Sequence, residues 1–96
     1  MIKHVVLMKF KPEATESRLV DLEKRLKALP DAIPEIKNYE FGLDVVRSER
    51  SYDFALVSNF EDLGELKIYQ DHPDHIEVLK IIMEMCEDIR AVDFTC

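Results

Sequence analysis

The sequence predicts an α+β, ferredoxin-like domain: β-α-β-β-α-β, with a four-stranded antiparallel sheet and both main helices on one face. Three observations lead there. Four segments alternate apolar and polar residues with a period of two, as strands do, and rows of apolar residues at helical spacing separate the first from the second and the third from the fourth. The strand segments also carry apolar residues on both faces, although the helices can cover only one. A sheet left with a second apolar face predicts a partner, and two copies paired face to face would close it into a barrel.

The first strand spans Ile2 to Phe10, with Ile2, His4, Val6, Met8 and Phe10 on one face and Lys3, Val5, Leu7 and Lys9 on the other. A helix follows, capped by Thr15 and marked by Leu19, Leu22, Leu26 and Leu29; Pro30 is expected to end it, since the residue before a proline avoids the helical region. The second strand runs from Ile36 to Asp44 and the third from Asp53 to Phe60, a hairpin with a long polar loop around Arg47–Ser51. Asp62 and Glu65 have the spacing of a capping box and start a short helix that reaches about Gln70. Asp71-His72-Pro73 breaks it, and Pro73 suits the first position of a new helix, where its missing N–H costs nothing. That helix is expected to reach about Asp88, with one stripe of Ile76, Leu79, Met83 and Cys86 beside another of Val78, Ile82, Met85 and Ile89. The last strand is expected over Ile89 to Thr95.

Composition narrows the function classes. Ninety-six residues make one domain, 1–96, and 47% hydrophobic residues can fill its core. Thirteen Lys and Arg against 20 Asp and Glu leave a charge of −7, which repels phosphate backbones and anionic lipid, so no nucleic acid and no membrane partner is expected. No segment approaches the ~20 apolar residues of a membrane span, and no signal peptide is expected from the opening residues. The two cysteines are too few for a disulfide framework, and Cys86 reads as a small buried hydrophobe rather than a nucleophile. A cytoplasmic protein is the default.

Few residues could do chemistry. His4 lies in phase with Ile2, Val6, Met8 and Phe10, and an imidazole in an apolar row needs a hydrogen-bond partner. His72 and His75 straddle Pro73, and three readings of them stand in this order: a structural cap made by His72, a catalytic His75 facing a pocket, and a metal site built on the i,i+3 pair. No structural metal is expected, because the proline and the cap already account for the segment. Tyr69 could orient a carbonyl across the helix break while His75 takes or gives a proton; alternatively it packs under the break with its hydroxyl at the surface. If the site exists, His4, Tyr69 and His75 should line one cavity, with His72 turned away.

The opening His4-Val5-Val6-Leu7-Met8-Lys9-Phe10-Lys11, the Leu29-Pro30 and Ile33-Pro34 turn, Gly42, Tyr52-Asp53-Phe54-Ala55-Leu56-Val57 and, above all, Tyr69-Gln70-Asp71-His72-Pro73-Asp74-His75 resemble the stress-responsive dimeric α/β-barrel (Dabb) family over almost the whole chain. The resemblance implies a ferredoxin-like fold and a homodimer formed through the sheets. It also implies a chemistry, because a plant polyketide cyclase of that family closes its substrate by aldol condensation without metal or organic cofactor. The catalytic pair of that cyclase matches His75 and Tyr69, and a pocket histidine matches His4. On this basis the expected activity is that of a cofactor-independent lyase or cyclase. Two alternatives stay open: a non-catalytic or structural stress-response dimer that binds a small apolar, carbonyl-containing ligand, and a cofactor-free monooxygenase-like barrel.

Overall fold

The computed structural model describes Met1–Cys96, and its elements are β1 (Ile2–Phe10), α1 (Glu16–Ala32), β2 (Asn38–Leu43), β3 (Phe54–Phe60), α2 (Leu63–Asp71), α3 (Pro73–Met85) and β4 (Cys86–Thr95). All strand pairs are antiparallel and the sheet order is β2-β3-β1-β4, the ferredoxin-like arrangement that the sequence predicts.

Local chemistry sets the helix starts. Thr15 Oγ1 accepts from the Arg18 N–H at 3.3 Å, and Asp62 Oδ1 accepts from the Glu65 N–H at 2.9 Å. Glu65 reaches back to the Glu61 N–H rather than to that of Asp62, which shifts the box by one residue. His72 caps α3, its Nδ1 accepting from the Asp74 N–H at 3.1 Å, so the structural reading of that imidazole holds.

Several boundaries differ from expectation: β2 is Asn38–Leu43 rather than Ile36–Asp44, β3 starts at Phe54 rather than Asp53, and three further ends shift for tertiary reasons. Helix α1 continues through Pro30 to Ala32, because Leu29 and Ile33 on either side are buried and the Ile33 N–H still reaches the Leu29 carbonyl at 2.9 Å. Core burial outweighs the preference of a pre-proline residue. Helix α3 stops at Met85 instead of near Asp88, and β4 begins at once at Cys86 rather than at Ile89. The cause is pairing: Cys86 stands opposite Phe10, and Lys11 N–H donates to the Met85 carbonyl at 2.7 Å. An irregularity at Lys9/Phe10 absorbs the resulting register shift. Of the two stripes, Val78, Ile82 and Met85 face the core, whereas Ile76, Leu79 and Met83 are largely exposed.

The core lies between the helices and one sheet face. Leu22, Leu26, Leu29 and Ile33 from the first helical segment meet Met8, Phe54, Leu56 and Phe60 from the strands. Each such side chain contributes about 1.5–3 kcal/mol by leaving water. The same alternation places Val5, Leu7, Ala55, Val57, Val92 and Phe94 together on the opposite face, where Leu7, Val92 and Phe94 are exposed. No helix is long and apolar enough to cross a membrane.

Candidate functional site

The register of the sheet builds a polar row into its helix-facing side. Tyr39 on β2 pairs with Ser58 on β3, Ser58 with His4 on β1, and His4 with Asp93 on β4. Directly opposite residues have Cβ atoms about 5 Å apart, so these four side chains stand side by side. His4 is buried and its Nδ1 is hydrogen-bonded to the Asp93 carboxylate. A carboxylate only accepts, so Nδ1 carries a proton and Nε2 is the nitrogen left for other partners. The partner that an imidazole in an apolar row requires is therefore its cross-strand neighbour. Ser58 is fully buried, and its Oγ has no hydrogen-bond partner within the chain.

The break between α2 and α3 supplies the other half. Tyr69, in the last turn of α2, is 1% exposed, with its ring 5.0 Å from Phe60, 4.3 Å from His75 and 6.3 Å from His4. Its hydroxyl lies 2.9 Å from that of Tyr39. His75, in the first turn of α3, reaches back across the break, where Nδ1 donates to the Gln70 carbonyl at 3.1 Å. That carbonyl belongs to the last turn of a helix and has no partner along its own helix, so the bond serves both segments.

Of these groups His4, Tyr69, Gln70 and His75 converge on one cavity of about 270 Å³. Val6, Met8 and Leu56 form its floor on the sheet, while Leu26, Val78 and Ile82 form its roof on the helices. Leu79 of α3 and Ile89 and Ala91 of the exposed edge strand β4 stand at its mouth. His4, Tyr69, Gln70 and His75 make one polar end in an otherwise apolar lining. The three residues singled out in the sequence thus share a cavity, and His72 does not line it.

Electrostatics set the proton positions. Burial is the main cause that pushes His75 below the ordinary histidine value, the bond to the Gln70 carbonyl opposes it, and the nearness of His4 and His72 adds a smaller lowering. Burial rather than the helix dipole does most of this. With Nδ1 donating, the neutral ring keeps a lone pair on Nε2, as a general base requires. Burial also holds Tyr69 protonated, pushed up to about 12, so its hydroxyl can donate near neutrality. The Cys86 thiol is pushed up to about 11 by burial, which keeps it a thiol and not a nucleophile.

Sequence reasoning missed Tyr39, Ser58 and Asp93. Their signal is the pairing register, which links residues 19 to 89 positions apart and leaves no local trace.

Comparison with known proteins places this arrangement. A family model described as the stress responsive A/B barrel domain matches residues 2–96. Olivetolic acid cyclase of Cannabis sativa is 28% identical over 96 residues, covering 98% of this chain and 95% of the cyclase. A stress-response A/B barrel domain-containing protein of Arabidopsis thaliana is 30% identical over 95 residues, covering 98% of this chain, and the chain spans 36% of that protein's length. A solved structure from Thermobifida fusca, a dimeric ferredoxin-like protein of unknown function, is 39% identical with a TM-score of 0.91, covering 99% of this chain and 90% of that one. With a matching model over nearly its full length and the ferredoxin-like sheet that the model implies, the chain belongs to the stress-responsive A/B barrel domain family.

Proposed function

We propose that residues 1–96 form one domain that binds a small, mostly apolar ligand carrying a carbonyl group, and that it acts on this ligand as a cofactor-independent lyase or cyclase. The single observation that carries this reading is that His75 and Tyr69, their rings 4.3 Å apart, meet at the one polar end of an apolar cavity, where burial favours a neutral imidazole and a protonated phenol. The volume suits such a ligand. An apolar cavity of ~150 Å³ accepts benzene, so 270 Å³ takes a ring with a substituent.

In the reaction proposed, His75 Nε2 takes a proton from the carbon next to the carbonyl. The C–H electron pair becomes a C=C bond, the C=O π pair moves onto oxygen, and the Tyr69 O–H holds that oxygen. The enolate carbon then attacks a second carbonyl of the same ligand, and protonated His75 returns its proton to the new alkoxide. Run backwards, the same steps cleave a carbon–carbon bond. His4, with Nδ1 held by Asp93, offers the Nε2 lone pair to a hydroxyl of the ligand. The chemistry attributed to His75 and Tyr69 is supported by the resemblance of the Tyr69–His75 block to the polyketide cyclase pattern and by the sequence similarity to olivetolic acid cyclase.

We further propose that two copies pair through the open sheet face. Its apolar residues and the dimeric state of the Thermobifida relative support this. The two free thiols, Cys86 and Cys96, suit a cytoplasmic setting.

Deuterium wash-in at the activated carbon of an alkyl 1,3-diketone, followed by proton NMR, tests the reading without knowledge of the natural substrate. The wild type should exchange faster than buffer, and His75→Ala and Tyr69→Phe should abolish the acceleration. A protein that binds the diketone but leaves its exchange rate unchanged is a binding protein, and the catalytic reading falls.

A further inference from the structure

Tyr39 does not line the cavity, yet its hydroxyl is hydrogen-bonded to that of Tyr69, a residue that does. Its ring comes from β2, at the edge of the sheet, and packs edge-on against Phe41 at 6.5 Å and Tyr69 at 6.1 Å. The Tyr69 hydroxyl is thus backed by Tyr39, and a Tyr69 proton not given to Tyr39 is free for the cavity that this side chain lines.

A phenol has one proton to give and lone pairs to accept with. On the cavity side the groups that the proposed chemistry sets before Tyr69 are acceptors: the neutral His75 ring nitrogen and the ligand's carbonyl oxygen. If Tyr69 gives its proton there, the bond behind it can only run from Tyr39 to Tyr69. If the bond ran the other way, the cavity would face lone pairs and a carbonyl oxygen would be repelled. Chains of hydrogen bonds that all point the same way strengthen one another.

We infer that Tyr39 is a positioning residue, whose hydroxyl donates to the Tyr69 oxygen and so turns the Tyr69 proton into the cavity, toward the ligand's carbonyl. This rests on the function proposed above. As negative charge grows on the carbonyl oxygen and is shared with Tyr69, the Tyr39 donor stabilises it from behind. Tyr39 itself keeps its proton, because burial pushes its ionisation higher than that of Tyr69.

The test replaces Tyr39 by Phe, which removes the hydroxyl and keeps the ring, in protein carrying 3-fluorotyrosine at position 69. The fluorine resonance of position 69 should titrate at higher pH in Tyr39→Phe than in its parent. The kcat for diketone exchange should fall about tenfold, as befits one hydrogen bond to a group that gains charge, while KM stays within about twofold. An unchanged titration midpoint together with unchanged kcat overturns the inference and leaves the proposed function standing. If the parent protein shows no exchange at all, the functional reading has failed, and the titration midpoint alone decides the role of Tyr39. Should Tyr39→Phe not fold, a polyfluorinated tyrosine at position 39 replaces it. Once ionised, that side chain can only accept, so activity must fall at lower pH than in the parent; a matching pH profile refutes the inference.

Discussion

Replacing Val6 by Phe would fill part of the cavity while leaving His4, Tyr69 and His75 in place. Val6 lies on the floor, between Leu56 on β3 and Ala91 on β4. Benzene in a ~150 Å³ cavity takes ~25 Å³ per carbon, so the four carbons added by Val6→Phe occupy ~100 Å³. About 170 Å³ of the 270 Å³ then remains, little more than one ring needs. Four newly buried carbons gain ~3 kcal/mol, and overpacking strain takes back ~1–3 kcal/mol, so stability should change by less than about 2 kcal/mol. Affinity should change more. Titration calorimetry with phenyl alkyl ketones of increasing chain length should show wild-type affinity rising by about 0.8 kcal/mol per methylene until the cavity is full. In Val6→Phe the rise should stop about four carbons earlier, and the longest ketone should lose ~3 kcal/mol, or about a hundredfold in Kd. An identical chain-length dependence in a variant with native near-ultraviolet circular dichroism would show that ligands do not enter this cavity.

Leu22→Ala removes a fully buried side chain from the helix-sheet core and should cost ~2–5 kcal/mol, lowering Tm by at least about 10 °C in calorimetry. His75 gives a pH dependence of known sign. Its folded-state value lies below the unfolded value near 6.5, so on acidification the unfolded chain takes up the proton first, and stability falls as pH drops below about 6.5 and is flat in this group above it. Denaturant unfolding near neutrality and at about pH 5 should show the wild type losing more stability than His75→Gln, and exchange activity should decline over the same range. Val57→Asp puts a carboxylate in the middle of the open sheet face, opposite Val5, and should yield a monomer in light scattering with unchanged far-ultraviolet circular dichroism.

The strands, the helices and the caps at Thr15, Asp62 and His72 are legible in the sequence because each rests on short-range chemistry: alternation, helical spacing, or a side chain two or three residues from the N–H it accepts. Tyr69 and His75 are legible for the same reason, since six residues and one proline bring them together. His4 announces itself as a polar residue in an apolar row. Its partner Asp93 does not, because 89 residues separate them and only the β1–β4 register joins them. The ends of α1 and α3 were misplaced for a related reason. Proline at position 30 and the apolar stripe through Cys86 speak for local rules, whereas burial of Ile33 and pairing of Cys86 with Phe10 are tertiary.

The junction of α3 with β4 has a mechanical meaning. With no residue between Met85 and Cys86, roof and floor of the cavity meet there at a corner clamped by the Lys11–Met85 bond. His75 lies ten residues up the helix, or about 15 Å away at 1.5 Å per residue, where the roof is joined to the sheet through the helix break and through the packing of Val78 in the core. The two walls form a pair of tongs with its pivot at the apolar corner. Any widening that admits a bulkier guest is therefore largest at the tips, which carry His75 on one arm and His4 on the other. Lengthening that corner by even one residue would free the pivot and let the tips drift apart, and the proton-handling groups would lose their alignment before the core lost its packing.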